Sequence, residues 1–222
     1  IELPTGDSRI ELPTEIPKKL NKPLIMKTPG LDNVYYRWES ALGSVLNDKE
    51  KDSLMAVQDI LFATFHSKVF GKARELGLIY GIGSNYYRTK NDHIWFVNGQ
   101  VQSDNIKPLF KLLCEQILQI SNGNITQKEI DDLKAYQLGS FQRGIQTVNQ
   151  LANWYQPAFV TANKIKDFSS IESRIYSIQK KDLVDIVHKI LSNSNWGLGL
   201  MYSENDTVDT ESLFNDLNSL YK

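Results

Sequence analysis

Three histidines, one cysteine, and an arginine and a tyrosine six residues apart are the side chains here with chemistry to explain. A zinc site needs His, Cys or carboxylate ligands at set spacings, such as HxxEH on one helical face. His66 is followed by SKVF, His93 by IWFV and His188 by KILS, so neither HxxxH nor HxxEH occurs and no metal site is expected. Cys114 lies in the apolar run KLLCEQIL and reads as a buried small hydrophobe, not a reactive thiol. No GxSxG presents a serine nucleophile. YGIGSNYY has a GxG but lacks the third glycine and the βαβ setting of a phosphate loop. Two close glycines in a strand more often admit another backbone or a ligand. There remains the stretch GKARELGLIYGIGS, residues 71–84. Its Arg74 and Tyr80 either end one helix and begin one strand, or point together into a site.

The composition narrows the classes. The chain has 222 residues, 41% of them hydrophobic, enough to build a core. Lys and Arg number 25 against 26 Asp and Glu, so neither nucleic acid nor an anionic membrane is the default partner. No apolar run reaches the length of a membrane span. The reading is a soluble chain of unknown compartment, cytoplasmic or periplasmic.

The elements that would position Arg74 and Tyr80 follow from periodicity. Pro4, Pro13 and Pro17 keep helix out of residues 1–22, which read as a linker. PLIMKT, 23–28, is a strand candidate, and NVYYRWESALG, 33–43, a stronger one. In the second, Val34, Tyr36, Trp38, Ser40 and Leu42 share one face. The period then changes: over 48–76, Leu54, Val57, Leu61 and Phe65 form a helical stripe, with a break expected at Gly71 and an end at Gly77. Strands are expected over 78–88 and 93–101 with the turn TKND between them. Helices follow over 104–121, from a Thr126/Glu129 capping box to about 147, then over about 147–160, 168–178 and 179–191. A strand at 195–204 and a helical tail complete the chain. Strands in hairpins and helices in blocks give an α+β fold, a mostly antiparallel sheet covered by helices. Residues 23–222 read as one domain.

The order of these elements and several short motifs resemble the pitrilysin/insulinase family of zinc peptidases, which includes the mitochondrial processing peptidases. The resemblance is to its C-terminal, non-catalytic domain, over about residues 20–204. The motifs are Ser67, Lys68, Val69 and Phe70 after the long helix, then Arg74, Glu75, Gly77, Leu78 and Tyr80, then Thr126 with Glu129, then SIQKKDLVDIVHKIL.

The resemblance implies a half with no zinc and no catalytic residue of its own. Zinc is expected in a partner half bearing HxxEH, on the same parent chain or a separate subunit, and the ligand is an extended peptide. It also implies that Arg74 and Tyr80 hold the substrate. A tyrosine hydroxyl can donate to a peptide carbonyl or to the oxyanion that replaces it, and an arginine adds positive charge. Here Tyr80 is one residue closer to Arg74 than in the family pattern, and Ala73 takes the usual Arg position. One residue on a helix rotates a side chain by about 100°. Either the connection is shorter and Arg74 still reaches, or the pair is broken. The second outcome fits an alternative function, a catalytically dead structural or interaction subunit of the same fold.

Overall fold

The computed structural model describes residues 16–162, 165, 167–192 and 195–221. Most of the expected linker, residues 1–15, lies outside them. The end of that segment is docked: the Leu20 N–H donates to the Trp196 carbonyl at 3.2 Å, and the Leu20 side chain occupies the space over Gly197.

Five strands form one sheet: β1 (Leu24–Lys27), β2 (Val34–Ala41), β3 (Ile82–Arg88), β4 (His93–Val101) and β5 (Trp196–Tyr202). Their order is β1-β5-β2-β4-β3. Only the β1–β5 pair is parallel, which makes the sheet the mostly antiparallel one expected. The register explains the alternation in β2. Trp38 stands opposite Val97 and Leu198, and Ser40 opposite Trp95 and Trp196, so one face of three adjacent strands is apolar. All of these residues are buried. Tyr35 and Arg37 stand on the other face, exposed, as expected of an antiparallel sheet covered on one side.

The covering layer comes from helices whose stripes match their burial. These are α1 (Asp48–Gln58), α3 (Ile106–Ser121), α7 (Lys180–Ser192) and α8 (Thr210–Asn218), with α7 packed on both α1 and α3 and α8 against α3. Ile106, Leu109, Leu113, Ile117 and Ile120 of α3 are buried, as are Leu183, Ile186, Val187 and Ile190 of α7. The aromatics knit the layers together. Trp38 Nε1–H donates to Tyr221 Oη at 3.0 Å, and Tyr221 stacks on Trp196 with ring centroids 5.0 Å apart. On the flank, α4 (Gln127–Arg143) packs on α6 (Ile171–Ser177) and is followed by α5 (Val148–Ala162). The capping box that starts α4 is fully formed: Glu129 N–H donates to Thr126 Oγ1 at 3.2 Å, and Thr126 N–H to Glu129 Oε2 at 2.7 Å. No helix among the described residues is long and apolar enough to cross a membrane.

The long first helix differs from expectation in a way that shapes the site. It does not run to Gly71. After α1 the chain makes a wider π-helical turn, Asp59–Ala63, and leaves the helix at Thr64 in extended backbone. A π turn displaces later residues from the helical stripe. Phe65, expected in the core with Leu61, is therefore 66% exposed. Carbonyls freed by the turn are taken up by the loop that follows. Ser67 Oγ–H donates to the Asp59 carbonyl at 3.0 Å, Lys68 N–H to Ile60 at 2.9 Å and Val69 N–H to Leu61 at 3.0 Å. A short helix, α2 (Phe70–Glu75), then crosses back over this loop. Gly71 is not a break but the point of closest approach: a Cβ there would stand 2.2 Å from the Phe65 carbonyl oxygen.

Candidate functional site

The fold-back brings Arg74 and Tyr80 together. Arg74 lies in the last turn of α2. Gly77 ends the helix with φ +67°, a left-handed conformation that costs glycine little. Its N–H donates to the Arg74 carbonyl at 3.0 Å, and the Leu78 N–H to the Ala73 carbonyl at 2.9 Å, so the chain reverses tightly. The reversal carries Tyr80 beside Arg74. Arg74 Nη1–H donates to the Tyr80 carbonyl oxygen at 3.0 Å, and the guanidinium carbon lies 5.6 Å from the ring centroids of both Tyr80 and Phe65. Phe65 is steadied in turn by Phe70, with centroids 5.5 Å apart. Across the six-residue spacing Arg74 thus contacts the Tyr80 main chain and ring.

Two features differ from the sequence-based expectation. Tyr80 precedes β3 instead of lying within the strand expected from residue 78, and β3 stands at the edge of the sheet; the Tyr80 hydroxyl makes no hydrogen bond among the described residues. Phe65 joins the pair although its spacing placed it in the core. No signal in the sequence marks the π turn that displaces it. Tyr80 is 89% exposed and lies two residues before β3, which among the described residues stands at the edge of the sheet. Of the two glycines flanking that edge, Gly81 opens onto empty space and Gly83 lies against the Asn98 side chain.

A second polar group gathers at the π turn. A cleft of about 100 Å³ between the π turn and α4 is lined by Asp59, Thr64, His66, Lys68, Glu129 and Tyr136, among others. Asp59 Oδ2 accepts from Gln137 Nε2–H at 2.8 Å, tying the π turn to α4. Burial pushes the Asp59 carboxyl up from the ordinary 3.8 to about 6, and the Gln137 hydrogen bond only partly opposes this. The folded state therefore holds its proton more tightly than the unfolded chain does. The stability this contributes is fully present below pH 3.8 and is lost as pH rises through about 6. Asp59→Asn, which keeps an acceptor for Gln137, is expected to be more stable than the parent by about 2 kcal/mol at about pH 8, and no more stable at about pH 4. Urea unfolding at the two pH values checks this.

The histidines do not fit zinc. His93 is buried, with Nδ1 accepting the Leu46 N–H at 3.0 Å, and burial pushes its pKa down. His188 Nε2 lies 3.0 Å from the Ser121 carbonyl oxygen, and His66 is exposed. Among the described residues no group of three or more His, Cys, Asp or Glu could hold a metal ion. Burial pushes the Cys114 thiol up to about 12, as befits a packed side chain.

Comparison with known proteins bears on the fold and the family. No curated protein matches the chain. Among solved structures, a protease from Helicobacter pylori superposes with a TM-score of 0.75 at 14% identity, covering 89% of this chain and 48% of that one. A peptidase M16 inactive domain from Pseudomonas fluorescens gives 0.73 at 15% identity, covering 91% and 47%. A chain of complex III2 from Candida albicans gives 0.70 at 13% identity, covering 89% and 49%. These likenesses establish the fold, and the chain spans about half the length of each. The family model described as the peptidase M16 inactive domain matches residues 4–136, more than half of the chain. By that match the chain belongs to the peptidase M16 inactive-domain family.

Proposed function

We propose that this chain is the substrate-holding half of a zinc metallopeptidase. It takes an extended peptide and completes the active site of an HxxEH-bearing half that carries the zinc. The observation that carries the reading is the exposed Arg74–Tyr80 pair beside the free edge of β3. A sheet edge offers main-chain donors and acceptors to an added strand. A peptide laid along β3 would pass the Tyr80 hydroxyl, which has no partner within the described residues and is free to donate to a carbonyl or an oxyanion. Arg74, held by the Tyr80 carbonyl and two rings, adds fixed positive charge at the same place. This chain contributes binding and charge stabilisation, and the partner contributes the metal and the activated water. Zinc-dependent peptide cleavage that needs both halves is the test.

A second reading, a structural subunit of the same fold that has lost the site, is favoured by two observations. One is the likeness to a complex III2 chain. The other is that Arg74 grips a main-chain carbonyl rather than the phenol. Substitution of Tyr80 separates the two readings.

A further inference from the structure

We propose that Arg74 forms a carboxylate subsite, so that the peptide taken on this face carries an acidic side chain or its own free C-terminus beside Tyr80. This rests on the peptide-holding reading above and adds to it the chemistry of the ligand.

A guanidinium presents five N–H donors in a planar fork matched to two oxygens. Arg74 uses Nη1 on the Tyr80 carbonyl and lies over the two rings, and among the described residues it makes no further hydrogen bond or ion pair. The rest of the fork is open. Two of the other described arginines, Arg174 and Arg37, have carboxylates within the molecule, whereas Arg88 and Arg143, like Arg74, have none within ion-pair distance among the described residues. Arg174 places Nε and Nη2 on the two oxygens of Asp52 at 2.8 and 2.7 Å, and Arg37 places Nε on Glu39 at 2.6 Å. Arg74 has no carboxylate within ion-pair distance among the described residues. It is also held in place. The carbonyl holds one corner and the Phe65 and Tyr80 rings each lie 5.6 Å from the guanidinium carbon, so part of the side-chain freedom is already lost before a ligand binds.

The charge of the surrounding segment points the same way. The whole chain is balanced at 25 basic and 26 acidic residues. Residues 64–92, which supply α2, the Arg74–Tyr80 pair, β3 and its turn, hold Lys68, Lys72, Arg74, Arg88 and Lys90 against Glu75 and Asp92. Lys68 is neutralised by Glu129 at 2.5 Å, and on α2 itself Lys72 and Arg74 stand against Glu75. A neutral peptide carbonyl needs one donor. A carboxylate uses the open fork and the local positive field together.

The test is fluorescence anisotropy with three labelled, unstructured peptides of one length. The first is neutral and blocked at both ends, the second is the same with one central Glu, and the third is the neutral peptide with a free C-terminal carboxylate. At low salt at least one carboxylate peptide is expected to bind about fivefold more tightly than the neutral one, ~1 kcal/mol. The difference should shrink at about 0.5 M salt. Whichever of the second and third gains identifies the source of the carboxylate. Arg74→Gln should abolish the difference, and Arg74→Lys, which keeps the charge but not the fork, should retain part of it. Circular dichroism of each variant checks the fold. Equal binding of all three peptides, or a preference that survives Arg74→Gln, overturns the subsite and leaves the peptide-holding reading standing. Binding of none overturns both.

Discussion

Tyr80→Phe is expected to lower the turnover of the assembled peptidase by about 10²-fold without disturbing assembly. The substitution removes one oxygen and nothing else. The ring remains 5.6 Å from the Arg74 guanidinium, and the Arg74 hydrogen bond is to the main chain, which is unchanged. The residue is exposed and its hydroxyl makes no hydrogen bond among the described residues, so its loss should alter stability by no more than about 0.5 kcal/mol. If the phenol donates to charge that develops on the substrate oxygen, the loss falls on kcat more than on KM, because the interaction is made most strongly in the transition state. Steady-state kinetics on the two-half assembly gives both numbers. Turnover within about twofold of the parent, with assembly intact, would mean that the phenol holds nothing and would favour the structural-subunit reading.

Gly71→Ala is expected to destabilise the chain by about 3 kcal/mol or more, from overpacking against backbone. In an ordinary helix the same change would stabilise by roughly 0.5–1 kcal/mol. The sign reverses here because the new methyl would sit 2.2 Å from the Phe65 oxygen and 2.8 Å from its carbon. Those are main-chain atoms of a loop with little slack. Thr64 N–H is bound to Ser67 Oγ at 2.8 Å, and Gly71 N–H to the Ser67 carbonyl at 3.0 Å. Relief requires α2 to lift from the loop, which would part Phe65 from Arg74. Urea unfolding should show the fall in midpoint, and peptide affinity should fall with it. A loss under about 0.5 kcal/mol would show that the crossing is looser than its geometry.

Much of this fold is readable in the sequence where local periodicity and burial coincide. Alternation in β2, the stripes of α3 and α7, the Thr126–Glu129 box and the Gly77 reversal each depend on residues within one or two turns of each other. The resemblance motifs likewise locate Arg74 and Tyr80. What is not readable depends on contacts distant in the chain. The π turn is held by Ser67, Lys68 and Val69, which return to its carbonyls, and by Gln137 on α4, 78 residues from Asp59. Neither Phe65 in the site nor the raised Asp59 carboxyl could be expected without it. The edge position of β3 likewise follows from the placement of β5 beside β2, a pairing of residues more than 150 positions apart. Gly71 was legible as a special position, but its purpose, a close backbone crossing, was not.

Peptide cleavage with added zinc separates these possibilities in one experiment, run on this chain alone, on an HxxEH-bearing half alone, and on the two together. Hydrolysis is expected only in the mixture, abolished by a chelator. Robust chelator-sensitive hydrolysis by this chain alone would contradict that expectation, because no group among the described residues could hold the metal.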